Sequence, residues 1–264
     1  MGPVDLLVAG IQEITTSLVV QAFLAACIGF LLTVGGALPA LVGIGVREKT
    51  LAYGMGFAAG TMISASFTSL LMPALEVGGV IPATAGFLVG ALVVHIVNSL
   101  LPHEHVTRGY EGPEKLKRKL KVAWLIAFAM IIHNIPEGAA VGAAMVESTR
   151  GGVLLAIAIG IQNMPEGLAT VLPLISLKRD LKQAIVLVML SGVVEPVAAA
   201  GAAMLVTTFR GLLPYMLSFA AGAMMYVVSH EIIPETHEEG REIRFTAGLM
   251  VGLILMLVLD AYYG

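Results

Sequence analysis

The residues best suited to chemistry lie in one phrase written twice. His133-Asn134-Ile135-Pro136-Glu137-Gly138 is followed by Gln162-Asn163-Met164-Pro165-Glu166-Gly167, and a further carboxylate–proline pair, Glu195-Pro196, comes later. On a helix, His133 and Glu137 stand four residues apart and share a face, as do Gln162 and Glu166. Three carboxylates, one imidazole and three side-chain amides (Asn134, Gln162, Asn163) make a hard-to-borderline donor set. It suits a divalent transition metal better than K⁺ or an organic solute. Three glutamates carry charge enough for more than one divalent ion, with a carboxylate bridging two metals. The alternative is that these groups hydrogen-bond one another and glue helices together. A doubled phrase with three carboxylates at matching depth weighs against that.

The elements that must position these groups are membrane helices. Of 264 residues, 58% are hydrophobic and 12% charged, against about 25% charged in an ordinary soluble domain. Mean hydropathy is +0.92. A membrane-spanning helix needs about 20 apolar residues. Eight stretches qualify, at roughly 16–44, 51–75, 81–101, 122–145, 152–175, 183–208, 211–234 and 245–262. The fold class expected is therefore all-α, a polytopic bundle of eight transmembrane helices forming one transport domain over residues 1–264. Pro136, Pro165 and Pro196 each lack the N–H that an uninterrupted helix requires. Kinks are expected in spans four, five and six, at the depth of Glu137, Glu166 and Glu195.

Thirteen of the 15 Lys and Arg residues fall in loops one, three, five and seven; Arg150 and Arg210 are the exceptions. The positive-inside rule then makes those loops cytoplasmic and puts both termini on the non-cytoplasmic side. The segment Met1 to Gly10 lacks the basic start of a signal peptide, so the first span is expected to direct its own insertion. The single cysteine, Cys27, excludes an internal disulfide. Gly56 and Gly60, Gly86 and Gly90, Gly138 and Gly142, and Gly248 and Gly252 are each four apart, the spacing that lets membrane helices approach closely.

Four carboxylates are counted within the spans: Glu137, Glu166, Glu195 and Glu231. A charge near the bilayer centre costs about 2.5–3.5 kcal/mol on insertion scales, so such residues face the bundle interior and mark ion paths. Met62, Ser69 and Glu76 are spaced by seven on one face of span two. They read as an access route, with simple packing for Met62 and a solvated interfacial carboxylate for Glu76 as the plain alternatives. Asn98, His230 and Glu231 read as an exit route together with His103 and His105 of loop three. For the three histidines the plain alternatives are a hydrogen-bonded helix-end residue and two positions in a solvated loop. The zinc-protease signature His-Glu-x-x-His is absent, because Pro234 closes His230-Glu231-Ile232-Ile233. No enzyme activity, prosthetic group or nucleic-acid partner is expected.

At these motifs the chain resembles the ZIP (Zrt/Irt-like) family of divalent metal transporters, and most closely its bacterial GufA-type branch. The residues that carry the resemblance are the two Asn-x-Pro-Glu-Gly phrases and Glu195-Pro196. It implies uptake of zinc, and of related ions such as iron, manganese or cadmium, across the cell (plasma or inner) membrane. It implies a binuclear centre taking two transported ions per chain. His133, Glu137, Gln162 and Glu166 would form the first site, with Met62 nearby. Asn134, Asn163 and Glu195 would form the second, sharing Glu137 and Glu166 as bridges. Ser69 and Glu76 match the family's entrance side, and Asn98, His103, His105 and His230 its release side. The resemblance further implies a homodimer and an elevator-type movement of spans one, four, five and six against the other four. A passive metal-selective channel using the same site is the alternative. Many relatives have His where Gln162 stands, and some have Asp where Asn163 stands.

Overall fold

The computed structural model describes residues 2–44, 48–105, 109–111, 122–178, 181–236 and 242–263. Eight of its helices are long and apolar enough to cross a membrane: Leu18–Leu41, Lys49–Gly78, Val80–Leu100, Phe128–Glu147, Thr149–Leu172, Leu181–Thr208, Arg210–Ile232 and Glu242–Tyr262. These are spans one to eight below. The protein is an all-α, multi-pass membrane protein, and each span overlaps its expected stretch. Two features stand outside that expectation. A short amphipathic helix, Pro3–Ile14, precedes span one and buries Val4 and Ile11. Within loop three, His103–His105 and Gly109–Glu111 form a small antiparallel hairpin that packs against span four.

Burial ranks the spans. Span four is 89% buried along its apolar window, whereas spans three and eight are each 22% buried. The helix bearing His133 and Glu137 is thus central, and spans three and eight are peripheral. Spans one, four, five and six pack on one another: four on six, five on one, one on six, and four on five. Spans two and eight form one flanking pair, and three and seven another. Span two leans on span five, span seven on span four, and span seven also meets the middle of span two.

Glycine sets how closely these pairs approach. A Cβ on Gly60 would lie 2.0 Å from the Leu249 carbonyl oxygen, and one on Gly252 would lie 2.1 Å from that of Phe57. Gly90 stands in the same relation to Phe219, Gly142 to Ala199, and Gly167 to Thr33. Spans two with eight, three with seven, four with six and one with five thus each include a contact of backbone against glycine. This is the small-residue packing expected of the four-residue glycine spacing.

Pro136, Pro165 and Pro196 each lie inside an uninterrupted α-helix. Among the described residues, the π-helical turns fall in spans two and seven. Ser66–Leu71 and Val228–Ile232 are π-helical, with the Met72 N–H reaching back to the Phe67 carbonyl and the Ile233 N–H to that of Val228. Each widened turn precedes a proline, Pro73 or Pro234. The proline ring crowds the carbonyl four residues back, of Ser69 or His230, and an extra residue in the turn relieves that clash.

Gly60→Val should therefore force spans two and eight apart. Overpacking of this kind costs about 1–3 kcal/mol, read as a lowered melting temperature in detergent. Leu88→Val, at a position 63% exposed, should leave it unchanged. Equal melting temperatures for the two variants would refute the packing role.

Candidate metal centre

The structure brings the two copies of the phrase together. His133, Asn134 and Glu137 on span four, Gln162, Asn163 and Glu166 on span five, and Glu195 on span six are all buried. Three hydrogen bonds tie the spans at this depth. Gln162 Nε2 donates to Glu137 Oε1 at 2.9 Å, Asn163 Nδ2 donates to Glu195 Oε2 at 3.1 Å, and Asn134 Nδ2 donates to the Ser191 carbonyl at 2.8 Å. In each bond the amide gives an N–H donor to a neighbouring span and leaves its oxygen over.

That leaves the centre rich in acceptors. Among the described residues, ten buried side-chain polar atoms have no hydrogen-bond partner within the protein, and all ten are oxygens. Seven belong here: Asn134 Oδ1, Glu137 Oε2, Gln162 Oε1, Asn163 Oδ1, both oxygens of Glu166, and Glu195 Oε1. A buried acceptor without a donor costs about 1–3 kcal/mol, and seven in one place cannot be incidental packing. An acceptor surplus with no matching donors is the complement of a cation. Among the described residues no three His, Cys, Asp or Glu side chains form a metal-binding group by themselves. The donor set is mixed, because amides sit between the carboxylates: Gln162 against Glu137 and Asn163 against Glu195.

His133 also reaches a neighbouring span. Its Nε2 pairs with Glu231 Oε2 on span seven. Asn98 Nδ2 on span three donates to Glu231 Oε1, and Glu231 is fully buried. The expected exit-route pair Asn98 and Glu231 is therefore in contact, and it is joined directly to the centre through His133. His230, one residue earlier, points elsewhere. Its ring lies 4.9 Å from that of Tyr226, whose hydroxyl is 2.9 Å from His95 Nδ1. The side chains of His103 and His105 lie outside what the structure describes.

On span two, Met62 is buried in the apolar core. Glu76 is exposed at the end of the span. Ser69 Oγ lies 3.0 Å from both carboxylate oxygens of Asp260 on span eight, and Thr68 shares that carboxylate. Asp260 corrects the count of intramembrane carboxylates. It sits inside the eighth apolar stretch, and its place near the end of that stretch is the signal that sequence reading passed over. Gln21, His95 and Tyr226 are further polar groups within spans that periodicity did not single out.

These features define a polytopic bundle with a buried acceptor cluster at its centre, the class to which intramembrane cation carriers belong. A family model described as "ZIP Zinc transporter" matches residues 98–260. The chain is 38% identical to the zinc transporter GufA of Myxococcus xanthus, over 87% of this chain and 93% of the relative. It is 39% identical to the zinc transporter ZIPB of Bordetella bronchiseptica, over 100% and 89%. It is 31% identical to the zinc transporter ZIP11 of Homo sapiens, over 94% and 98%. The chain belongs to the ZIP zinc transporter family.

Asn98→Ala removes the amide that donates to Glu231 Oε1, a buried hydrogen bond between spans three and seven. The loss should be about 1–3 kcal/mol of stability, measured by thermal unfolding in detergent. An unchanged midpoint would show that Glu231 does not depend on this donor.

Proposed function

We propose that this protein carries divalent transition-metal ions, zinc foremost, across the membrane into the cytoplasm. The observation that carries the reading is the cluster of seven buried oxygens without donors, gathered from the doubled phrase and Glu195. A divalent cation satisfies several such oxygens at once, and carboxylate and amide oxygens with one imidazole suit zinc, iron, manganese or cadmium. The relatives' description as zinc transporters favours zinc among them.

In this reading Glu137 and Glu166 bridge two ions. Gln162 and His133 complete the first position, and Asn134, Asn163 and Glu195 the second. His133 pairs with Glu231 through Nε2 and also lies close enough to Glu166 to interact with it electrostatically, so it stands between span seven and the first position. The transport group is spans one, four, five and six, and its internal packing supports movement as one body against the flanking pairs. The basic loops support a cytoplasmic destination. One transport domain spans the chain.

The test is uptake into liposomes with competing Zn²⁺, Fe²⁺, Mn²⁺ and Cd²⁺. Wild type should show saturable uptake and counterflow; single-channel currents would instead establish a passive pore. Glu137→Ala should abolish both uptake and metal binding, since a bridging ligand is lost. Glu195→Ala should lose the second ion and keep the first. Equal metal stoichiometry in wild type and Glu137→Ala would refute the bridging role.

Acid should weaken binding. Metal ligation needs carboxylates ionised and His133 neutral, so protons compete for the same atoms. Zinc affinity should fall as pH drops from about 7.5 to 5, followed by equilibrium dialysis. Affinity independent of pH over that range would sink the assigned ligand set.

A further inference from the structure

Span one carries no charged residue between Leu18 and Leu41, and the ligand sets above draw nothing from it. One of its glycines nevertheless touches the centre. A Cβ built on Gly29 would lie 2.0 Å from Glu195 Oε1, 2.6 Å from its Cδ and 2.6 Å from its Oε2. The three nearest atoms all belong to that one carboxylate. Elsewhere on the same span, Gly36 meets the backbone of Met164, its would-be Cβ lying 2.1 Å from that carbonyl oxygen. Gly36 is a helix-packing glycine, whereas what fills the place of a side chain at Gly29 is a functional group.

We propose that Gly29 is a positioning residue for the second metal position: the notch it leaves in span one is where the Glu195 carboxylate rests. This rests on reading Glu195 as a ligand of the transported metal. One hydrogen bond holds the carboxylate at this place. Its Oε2 accepts from Asn163 at 3.1 Å, and its Oε1 is buried without a donor. One turn before it, Phe30 of span one fills the face of Gly192, 2.9 Å from where a Cβ would be. The Thr33 hydroxyl donates to the Gly29 carbonyl at 3.0 Å within span one.

A methyl group at position 29 would have to clear 3.0 Å from Oε1, so the oxygen must retreat by at least 1.0 Å from its present 2.0 Å. Metal–ligand distances hold to about ±0.2 Å. A displacement of that size takes Glu195 out of ligating range or breaks its bond from Asn163. Span one thereby sets whether a second ion is held, without supplying a ligand of its own.

The experiment compares purified full-length wild type, Gly29→Ala, Gly36→Ala, Glu195→Ala and the double variant Gly29→Ala/Glu195→Ala. Bound Zn²⁺ per chain is measured by equilibrium dialysis, and melting temperature is measured in parallel. Gly29→Ala should weaken the second ion by about 10- to 100-fold, as loss of a ligand's support does, and keep the first. In the Glu195→Ala background the same change should alter neither metal content nor melting temperature, since nothing remains to clash. Gly36→Ala should lower the melting temperature and leave both ions bound. Wild-type binding by Gly29→Ala overturns the proposal, as does an equal cost of Gly29→Ala in both backgrounds. If Gly29→Ala is too unstable to purify, recovery of the double variant supports the proposal. Failure of the double variant while Glu195→Ala folds overturns it. Glu195→Ala with an unchanged zinc count would instead overturn the reading of Glu195 as a ligand, a separate failure.

Discussion

Everything in this molecule depends on holding three carboxylates inside a lipid-embedded bundle without giving them enough donors. The amides of Gln162 and Asn163 each donate one bond, to Glu137 and Glu195, and Glu166 receives no side-chain donor at all. A fold built for stability alone would add donors or remove acids, because a partly satisfied buried network is worse than an apolar core. The arrangement makes physical sense if the missing partner is a cation that comes and goes. The amides then serve two ends: their nitrogens orient the carboxylates, and their oxygens add to the acceptor surface.

Such a centre needs walls that hold position although lipid supplies no hydrophobic force between helices. The glycine contacts meet this need. Gly138 and Gly142 bring span four onto the backbone of span six beside Glu195 itself, and Gly167 brings span five onto span one. Each contact joins members of the central group. Spans two and eight are joined the same way through Gly56, Gly60, Gly248 and Gly252. Glycine contacts also run between these units: Gly54 of span two meets Pro165 of span five, and Gly78 of span two meets Pro214 of span seven. The described links between units also include a polar one, His133 with Glu231, supported by Asn98.

Much of this was legible from residue types. Hydropathy located all eight spans, because lipid imposes a length and a composition that few other environments share. Helical spacing put His133 with Glu137 and Gln162 with Glu166 on common faces, and the short connection between spans four and five made them neighbours. What spacing could not supply was partner choice between spans distant in sequence. His133 and Glu231 are 98 residues apart, and Ser69 and Asp260 are 191 apart; neither pairing leaves a periodic trace. The π-helical turns were half legible. Pro73 and Pro234 mark them, but Pro136, Pro165 and Pro196 carry the same local signal inside helices that continue as α. Gly29 was silent for another reason: a lone glycine in an apolar span signals packing, and only the position of Glu195 gives it a different meaning.

The first copy of the phrase also explains why span four is the most enclosed helix. Within five residues it addresses three neighbours: His133 reaches span seven, Asn134 reaches the backbone of span six, and Glu137 meets span five. Two of those links stay inside the central group and one leaves it. If span four moves with spans five and six, the Asn134 and Glu137 links travel with it, and the His133–Glu231 pair must break. On the proposed reading, the residue whose partner would change is the one imidazole in the donor set, so the contact between helix groups and the proposed metal position share the His133 ring.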